Sequence, residues 1–561
     1  MADAMTGGGL LVKSLHREGV RCVFALCGQS VSPIFDACLD HGIRILDTRT
    51  ELAAAYMADA WGRLTRHPGV CVTTGGPGFA NALAGLATAQ FANSPMILIA
   101  GHSDVALQDR KGFQEMDQEA MARPVCKWSR TVWSLEAIPR AVQAAFRTAL
   151  TGPPGPVHLS LPRDLLKAAS RAAPAAFPAP ARYRPTAGPA GDPDAARAAM
   201  HLLAAAHRPV IIAGSGVWWS DAGELLCQFV TATQIPLFWK DLDTAGEMGR
   251  HPLDLGLASA WVKGVHDLIA EADAVLLLGV ELDSILGYGR PPVFHPSATT
   301  IHVASDPASI GRNREIDVGI VGECGPVLAQ LLAGAAAHSP WGRPAWIARL
   351  QAEARASRAA WTTEDRLAQK PIHPYRLCHE VARALRPDDI VVVDGGDARL
   401  WANLAVHPAH PGWYLQVGPI GGIGHGVPYA LAAKLAFPDR RVVLITGDGA
   451  LGYGIMEYDT AVRHDLPFVA VVSSDGTWGI VRHDQIHEYG AARSVGTALG
   501  LTHYEGMVAT LGGYGEFVEA PEQIGPAMDR AFASGRPACV NVPVRSTNPI
   551  YEDPATGELR Y

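Results

Sequence analysis

Short apolar runs at residues 96–100, 274–278, 391–393, 442–445 and 468–472 constrain the fold of this chain more than any other feature. None approaches the ~20 apolar residues that a membrane-crossing helix needs. They have the length of strands buried on both faces, which read as continuous rather than alternating apolar stretches. Between them lie Ala-rich or amphipathic stretches of helical character. Strands and helices alternating in this way predict parallel sheets covered by helices, an α/β fold. With 561 residues, the chain is too long for one hydrophobic core. Two stretches break the alternation: residues 168–193, rich in Ala and Pro, and residues 335–370, rich in Ala, Arg and Trp and expected to be helical. Read as connections, they leave units at 1–170, 193–335 and 371–561.

Bulk properties exclude several functions. The net charge is −8 with acids and bases interspersed, so the basic stripe that nucleic acid requires is missing and no nucleic-acid partner is expected. Nine cysteines are scattered without a CxxC pair or a zinc-like Cys/His spacing. Reduced thiols in a cytoplasmic protein are the expectation, with neither a signal peptide nor a membrane anchor.

The sharpest local signal is Gly447-Asp448-Gly449-Ala450, between an apolar strand and a helix. Glycines at a strand's carboxyl end let backbone N–H groups approach a phosphate, and a helix start adds a favourable dipole. An Asp there would repel a bare phosphate, but it fits if a hard divalent cation bridges the two. Residues 450–473 make 24 positions, and then Ser474-Asp475-Gly476-Thr477-Trp478-Gly479 follows the next buried strand. Two parallel strands would thus deliver Asp448 and Asp475 to one sheet edge. An octahedral Mg²⁺ could take its other ligands from a backbone carbonyl, water and phosphate oxygens.

The first unit carries a loose echo of this pattern. Val72-Thr73-Thr74-Gly75-Gly76-Pro77-Gly78 also places a Gly-rich turn between a strand and a small-residue helix, so two similar domains facing a shared ligand are expected. Glu51 lies at another strand–helix junction, followed by Leu52-Ala53-Ala54-Ala55. A carboxyl in such apolar company is expected to be desolvated, with its pKa raised.

The Gly-Asp-Gly turn, followed after about 25 residues by an Asn-Asn pair or a variant of it, resembles the diphosphate and metal motif of thiamin-diphosphate enzymes; here the pair is Ser474-Asp475. Residues 47–63 and Gly75-Gly76-Pro77-Gly78-Phe79-Ala80-Asn81-Ala82 resemble that family's catalytic-Glu helix and the turn after it. The resemblance covers nearly the whole chain. It implies three doubly wound parallel-sheet domains in the order pyrimidine-binding, central and diphosphate-binding, with thiamin diphosphate and Mg²⁺ as cofactors. It assigns the metal to Asp448 Oδ, Asp475 Oδ and the Thr477 carbonyl, and a hydrogen bond to the aminopyrimidine to Glu51. Thr74, Pro77, Asn81, Asp397, Gly447, Gly449, Ala450, Trp478, Gly479 and Ile480 would border the cofactor, Trp478 and Ile480 on its substrate side. The Gly421 carbonyl would accept from the 4′-amino group, and Ile423 would wedge the cofactor into its bent form.

The three-part layout is similar to the branch holding acetolactate synthase, benzaldehyde lyase and 2-hydroxyacyl-CoA lyase. Gln114, in Phe113-Gln114-Glu115-Met116-Asp117-Gln118, is a catalytic candidate, because a neutral amide can hydrogen-bond a developing alkoxide without protonating carbon. Ser30 is carried as a catalytic candidate too, although relatives often have a His there. The branch implies carbon–carbon bond cleavage or ligation on 2-oxo acids or 2-hydroxy ketones, with small carbonyl substrates and a homodimer or homotetramer. A 2-hydroxyacyl-CoA lyase or oxalyl-CoA decarboxylase stays open, although few basic residues follow Val544 to meet CoA phosphates. FAD, held by acetolactate synthases in the central domain, also stays open but has no clear signature around Gly279-Val280-Glu281-Leu282-Asp283. A non-catalytic, cofactor-binding regulatory subunit is a reading of another class, and the retention of Glu51 with both metal acids argues against it.

Overall fold

The apolar runs form the central strands of three parallel sheets. The computed structural model describes residues 5–170, 177–240, 251–259, 264–338, 340–554 and 556–561. In the N-terminal domain, β1 (Cys22–Ala25), β2 (Arg44–Asp47), β3 (Gly69–Thr73), β4 (Met96–His102), β5 (Trp128–Thr131) and β6 (Pro156–Pro162) pair in the order β2-β1-β3-β4-β6-β5. The central domain contains β7 (Pro209–Ala213), β8 (Leu237–Trp239), β9 (Asp254–Leu257), β10 (Ala274–Leu278), β11 (Thr299–Ala304) and β12 (Val318–Val321), ordered β9-β8-β7-β10-β11-β12. The C-terminal domain contains β13 (Ile390–Asp394), β14 (Tyr414–Gln416), β15 (Val442–Gly447), β16 (Val469–Ser474), β17 (Tyr514–Phe517) and β18 (Ala538–Pro543), ordered β14-β13-β15-β16-β18-β17.

The outer two domains therefore share one strand order, which gives the loose sequence echo a structural basis. The central sheet follows a different order, that of a dinucleotide-binding doubly wound fold, with its switch point between β7 and β10. The second connection contains the helix Pro344–Trp361. In the first, residues 171–176 lie outside the described residues. Among the described residues no helix is long and apolar enough to cross a membrane.

The helices of the site and of the second connection are α1 (Glu51–Thr65), α2 (Pro77–Phe91), α3 (Pro344–Trp361, the connection), α4 (Gly426–Ala436), α5 (Asp448–Gly454), α6 (Glu457–Arg463) and α7 (Gly479–Tyr489). Helix α1 packs along α2 and also along α4 of the C-terminal domain. Small side chains permit this approach: Ala54, Ala55 and Ala58 on α1 and Ala430 and Ala433 on α4 have no exposed surface. One apolar cluster accordingly runs from Phe24 and Leu98 in the N-terminal domain to Val392 and Leu444 in the C-terminal domain. A second joins Trp239 and Leu276 in the central domain to Trp401 and Val443.

A buried ion pair pins the end of α1. Arg63 Nη2 lies 2.9 Å from Asp59 Oδ2, and the Tyr429 hydroxyl donates to the same oxygen. Arg63 Nη1 donates to the Gln416 carbonyl at 2.8 Å, and Trp218 Nε1 donates to the Arg63 carbonyl at 3.0 Å. One turn of helix thus contacts all three domains. A buried charge is tolerable only with such complete pairing.

His158, in the middle of β6, is another buried polar anchor. Its Nδ1 faces Ser129 Oγ at 2.9 Å, and Nε2 faces Ser160 Oγ at 3.1 Å. Ser129 donates to the Glu119 carbonyl and Ser160 accepts from Gln118 Nε2, so the neutral Nδ1–H form satisfies every partner. Burial pushes this imidazole down to about 3 from its ordinary 6.5. Below pH 6.5 the unfolded chain gains a proton here that the folded chain refuses. Stability contributed by the site is therefore lost as pH falls from 6.5 toward 3, roughly 2 kcal/mol by pH 5. His158→Gln should be less stable than the parent at pH 7.5, and the gap between their melting temperatures should narrow by pH 5. A gap that stays constant across that range would contradict this account.

Candidate active site

Strand register decides which acids meet. β15 and β16 are parallel neighbours with Gly447 opposite Ser473, so the turns after them leave the same sheet edge side by side. β13 flanks β15 on the other side, with Asp394 opposite Thr446, and adds Gly395-Gly396-Asp397. Asp448 is buried. Its Oδ1 accepts from Gly449 N at 2.8 Å and its Oδ2 from Gly476 N at 2.7 Å, which ties the two turns directly together. Asp475 folds over its own turn, accepting from Thr477 N at 3.0 Å and Thr477 Oγ1 at 2.9 Å. The Gly476 carbonyl is taken by the amides of Leu499 and Gly500, so residues 497–500 clamp the turn from outside.

These carboxylates are short of positive charge. Burial, then the neighbouring Asp475, pushes Asp448 up to about 6. The same two causes push Asp397 well above the usual carboxylate range. Asp397 Oδ1 accepts from Asn548 Nδ2 at 2.6 Å, while its buried Oδ2 has no hydrogen-bond partner. Among the described residues no three His, Cys, Asp or Glu side chains gather into a metal cage. The protein alone thus offers two acids and a turn of backbone, a donor set that suits a hard cation sharing its remaining positions with phosphate and water. Glycine at positions 449 and 396 makes room for neighbouring side chains. A Cβ on Gly449 would stand 2.5 Å from the Trp478 ring, and one on Gly396 2.5 Å from Ile480. Trp478 and Ile480 therefore pack onto the floor of this cradle.

The turn 418–426 is held by two residues that were not singled out from sequence. His425 is fully buried, with Nε2 3.0 Å from the Val393 carbonyl and Nδ1 3.1 Å from the Gly422 carbonyl. Asp394 Oδ2 accepts from Gly426 N at 2.7 Å. Together they fasten Gly421 and Ile423 to the end of β13. Gly421 has φ +70°, a left-handed backbone that glycine adopts without strain, and Ile423 is half-buried.

The N-terminal candidates form a second group. Thr50 caps α1 by accepting from Ala53 N at 3.2 Å, and Glu51 is the first helical residue. Its Oε2 accepts from Asn81 Nδ2, on α2, at 3.1 Å. Within one chain Glu51 is half-buried, so the desolvation expected from sequence is incomplete. Ser30 Oγ and Thr74 Oγ1 are 2.8 Å apart, Ser30 Oγ accepts from Gly75 N, and Thr74 Oγ1 donates to Gln114 Oε1 at 3.1 Å. Pro77 starts α2 immediately after this turn. Ser30, Thr74 and Gln114 thus make a continuous uncharged wall. Behind it Gln118, also missed from sequence, accepts from Gly76 N at 2.8 Å and joins the turn to the Ser160–His158 network. Among the described residues no hydrogen bond links this group to Asp448, Asp475 or Asp397.

Two further places bear on the site. His483 and His487, spaced like metal ligands on α7, are engaged otherwise. His483 Nδ1 is 2.6 Å from the Tyr561 hydroxyl, burial pushes its imidazole down to about 4, and His487 packs on Tyr551. In the central domain a cavity of about 690 Å³ opens at the β7/β10 switch point, lined by Gly216, Gly279, Asp306 and Arg312 and reaching Gly418-Pro419. Open α/β sheets bind ligands at such points.

Comparison with known families agrees with this division. A model of the N-terminal TPP-binding domain of thiamine pyrophosphate enzymes matches residues 5–121, the central-domain model residues 196–331 and the C-terminal TPP-binding model residues 394–542. The chain belongs to the thiamine pyrophosphate enzyme family. It is 36% identical to the acetolactate synthase large subunit of Mycobacterium tuberculosis, over 96% of each chain. It is 31% identical to a probable acetolactate synthase large subunit of Methanocaldococcus jannaschii, covering 99% of this chain and 94% of the relative. It is 30% identical to human 2-hydroxyacyl-CoA lyase 2, covering 98% and 91%. This thiamine pyrophosphate enzyme is thus of the carboligase and lyase class.

Asp475→Ala removes a carboxylate that faces Asp448. Cofactor and Mg²⁺ titrations followed by tryptophan fluorescence should shift to higher concentrations, on the order of tenfold or more, as at other metal sites. Superimposable titration curves would exclude Asp475 as a ligand for Mg²⁺.

Proposed function

We propose that this enzyme makes or breaks the carbon–carbon bond beside a carbonyl in 2-oxo acids or 2-hydroxy ketones, using thiamin diphosphate anchored by Mg²⁺. The observation that carries the reading is the pair of cation-short carboxylates on adjacent strand ends, Asp448 buried and Asp475 half-buried. Asp448, Asp475 and the Thr477 carbonyl would hold Mg²⁺, with Gly447, Gly449, Ala450, Gly479 and Asp397 beside the diphosphate. Thiamin diphosphate, when bound, supplies a nucleophilic carbon that adds to the substrate carbonyl and accepts the electron pair of the bond that breaks. The protein's own part is placement and proton control. Glu51, oriented by Asn81, would hold a proton at the aminopyrimidine nitrogen. Gly421 would accept from the amino group, and Ile423 would keep the cofactor bent.

The wall of Ser30, Thr74 and Gln114 can hydrogen-bond an alkoxide but offers no acid to quench a carbon nucleophile. That favours capture by a second carbonyl, or its reverse, over simple protonation. Glu51 and Asp448 grip opposite ends of one cofactor, and Glu51 is only half-buried in the single chain. A second copy supplying the diphosphate end would cover it, so a homodimer is the minimum active unit and a homotetramer is compatible. Cysteines scattered without a CxxC pair fit a cytoplasmic setting.

A second reading, a 2-hydroxyacyl-CoA lyase, is favoured by the 30% identity to the human relative. The central cavity is large enough for a nucleotide, so FAD, ADP and CoA belong in the same test. The decisive experiment supplies thiamin diphosphate and Mg²⁺, then offers pyruvate, benzoylformate, benzoin and a 2-hydroxyacyl-CoA, following CO₂, aldehyde and ligated product together. Turnover confined to the acyl-CoA would replace the first reading with the second. Glu51→Gln should lower kcat by roughly 10²–10⁴-fold, the usual range for removing a general acid–base. Undiminished kcat would exclude Glu51 from the reaction.

A further inference from the structure

Residues 47–50, which connect β2 to α1 and so lead into Glu51, are held by the C-terminal domain of the same chain. Asp47 pairs with Arg463 Nη1 at 2.6 Å and His464 Nε2 at 2.9 Å. Arg49 Nη1 lies 3.6 Å from Asp459. At the centre is Glu457, the first residue of α6. Its Oε1 accepts from Arg49 N and Thr50 N, both at 3.1 Å, and from Thr50 Oγ1 at 3.3 Å. Its Oε2 accepts from Arg49 N at 3.2 Å and from Thr460 Oγ1 at 2.6 Å. The side chain is 2% exposed.

A carboxylate removed from water is costly unless donors surround it. Here most of the donors come from another domain, so they fix one domain against the other. The donors are also the two residues just ahead of Glu51, one of them the cap of its helix. Glu457 follows the end of α5, the helix that begins at Asp448, after only Ile455 and Met456. A shift of the Asp448 turn therefore has a short path along α5 to Glu457, and from there through hydrogen bonds to the backbone that leads into Glu51.

We propose that Glu457 is a positioning residue for Glu51, and that through it loading of the metal and diphosphate end in one protomer firms the backbone that presents Glu51. The coupling between sites rests on the reading above, in which Glu51 serves a cofactor whose diphosphate is held by a second copy of this chain. Under that arrangement each protomer's Glu457 links the two sites of the dimer.

The test uses Mg²⁺ with inorganic pyrophosphate, a probe that fills the diphosphate end but has no pyrimidine to touch Glu51. Amide hydrogen exchange is measured across residues 47–52, with probe binding checked by calorimetry. Exchange should slow several-fold on adding the probe to the parent enzyme. The slowing should vanish in Glu457→Gln, which keeps the length of the side chain but places an N–H group against N–H donors. Arg463→Gln, at a partly exposed position of the same seam, should weaken the response and serves if Glu457→Gln folds poorly. Thr460→Val, which removes only the donor on α6 itself, should retain it.

On the holoenzyme, hydrogen–deuterium exchange at C2 of bound thiamin diphosphate should fall about tenfold in Glu457→Gln, while cofactor and Mg²⁺ affinities stay within about threefold. A purely structural role would lower melting temperature or affinity and leave that exchange rate alone. Unchanged C2 exchange in Glu457→Gln, or no protection of residues 47–52 despite bound pyrophosphate in the parent, would overturn the proposal. Unchanged C2 exchange in Glu51→Gln would instead bring down the assignment of Glu51, and failure of pyrophosphate to bind would bring down the diphosphate site, each taking the coupling with it.

Discussion

Two carboxylates at the ends of adjacent buried strands repel each other, and burial raises the cost of the charge on Asp448. Asp448 is pushed up to about 6 for these reasons, and Asp397 lies in the same field. A divalent cation shared with a diphosphate would convert that repulsion into attraction. Much of the surrounding structure serves this constraint. The register of β15 on β16 brings the acids together, Asp448 fastens the two turns through Gly476 N, and residues 497–500 hold the second turn from outside. Trp478 and Ile480 close the floor against Gly449 and Gly396.

The other half of the chemistry depends on where α1 sits. This helix belongs to the N-terminal domain by strand order but to the whole molecule by contact. Its far end is locked by Asp59, Arg63 and Tyr429, and its near end is approached by Glu457. Small side chains let it lie close to α4, so the outer domains share one apolar core. The domains are consequently not free modules. The frame that presents Glu51 is set by C-terminal residues, whereas Glu51's own carboxylate accepts from Asn81 on its own domain.

The local features of the site were legible from sequence. Gly447-Asp448-Gly449, the second acidic turn at Asp475 and the Gly75-Gly76-Pro77 turn each compress their meaning into a few consecutive residues at a strand end. The α/β class was equally legible, because runs buried on both faces leave little other choice. What stayed hidden depends on distant partners. Glu457 meets Thr50 across 407 positions, Asn548 meets Asp397 across 151, and His425 meets the Val393 carbonyl across 32. No period or spacing announces such pairs. Trp478 and Ile480 also pack against Gly449 and Gly396, because missing β-carbons leave room that sequence does not display. His483 carried a metal-like spacing, yet it is buried against Tyr561 at the far end of the chain.

Sequence by itself determined the strands, the glycine turns and the chemical types available at each turn, since these follow from local sterics, burial and side-chain chemistry. Tertiary structure decided the rest: the strand order that makes Asp448 and Asp475 neighbours, the identical topology of the outer domains, the cavity at the central switch point and the seam that places Glu51. Those outcomes arise from packing whole sheets and helices against one another, where the partner of each residue is set by shape and by the need to satisfy buried polar groups rather than by its neighbours in the chain.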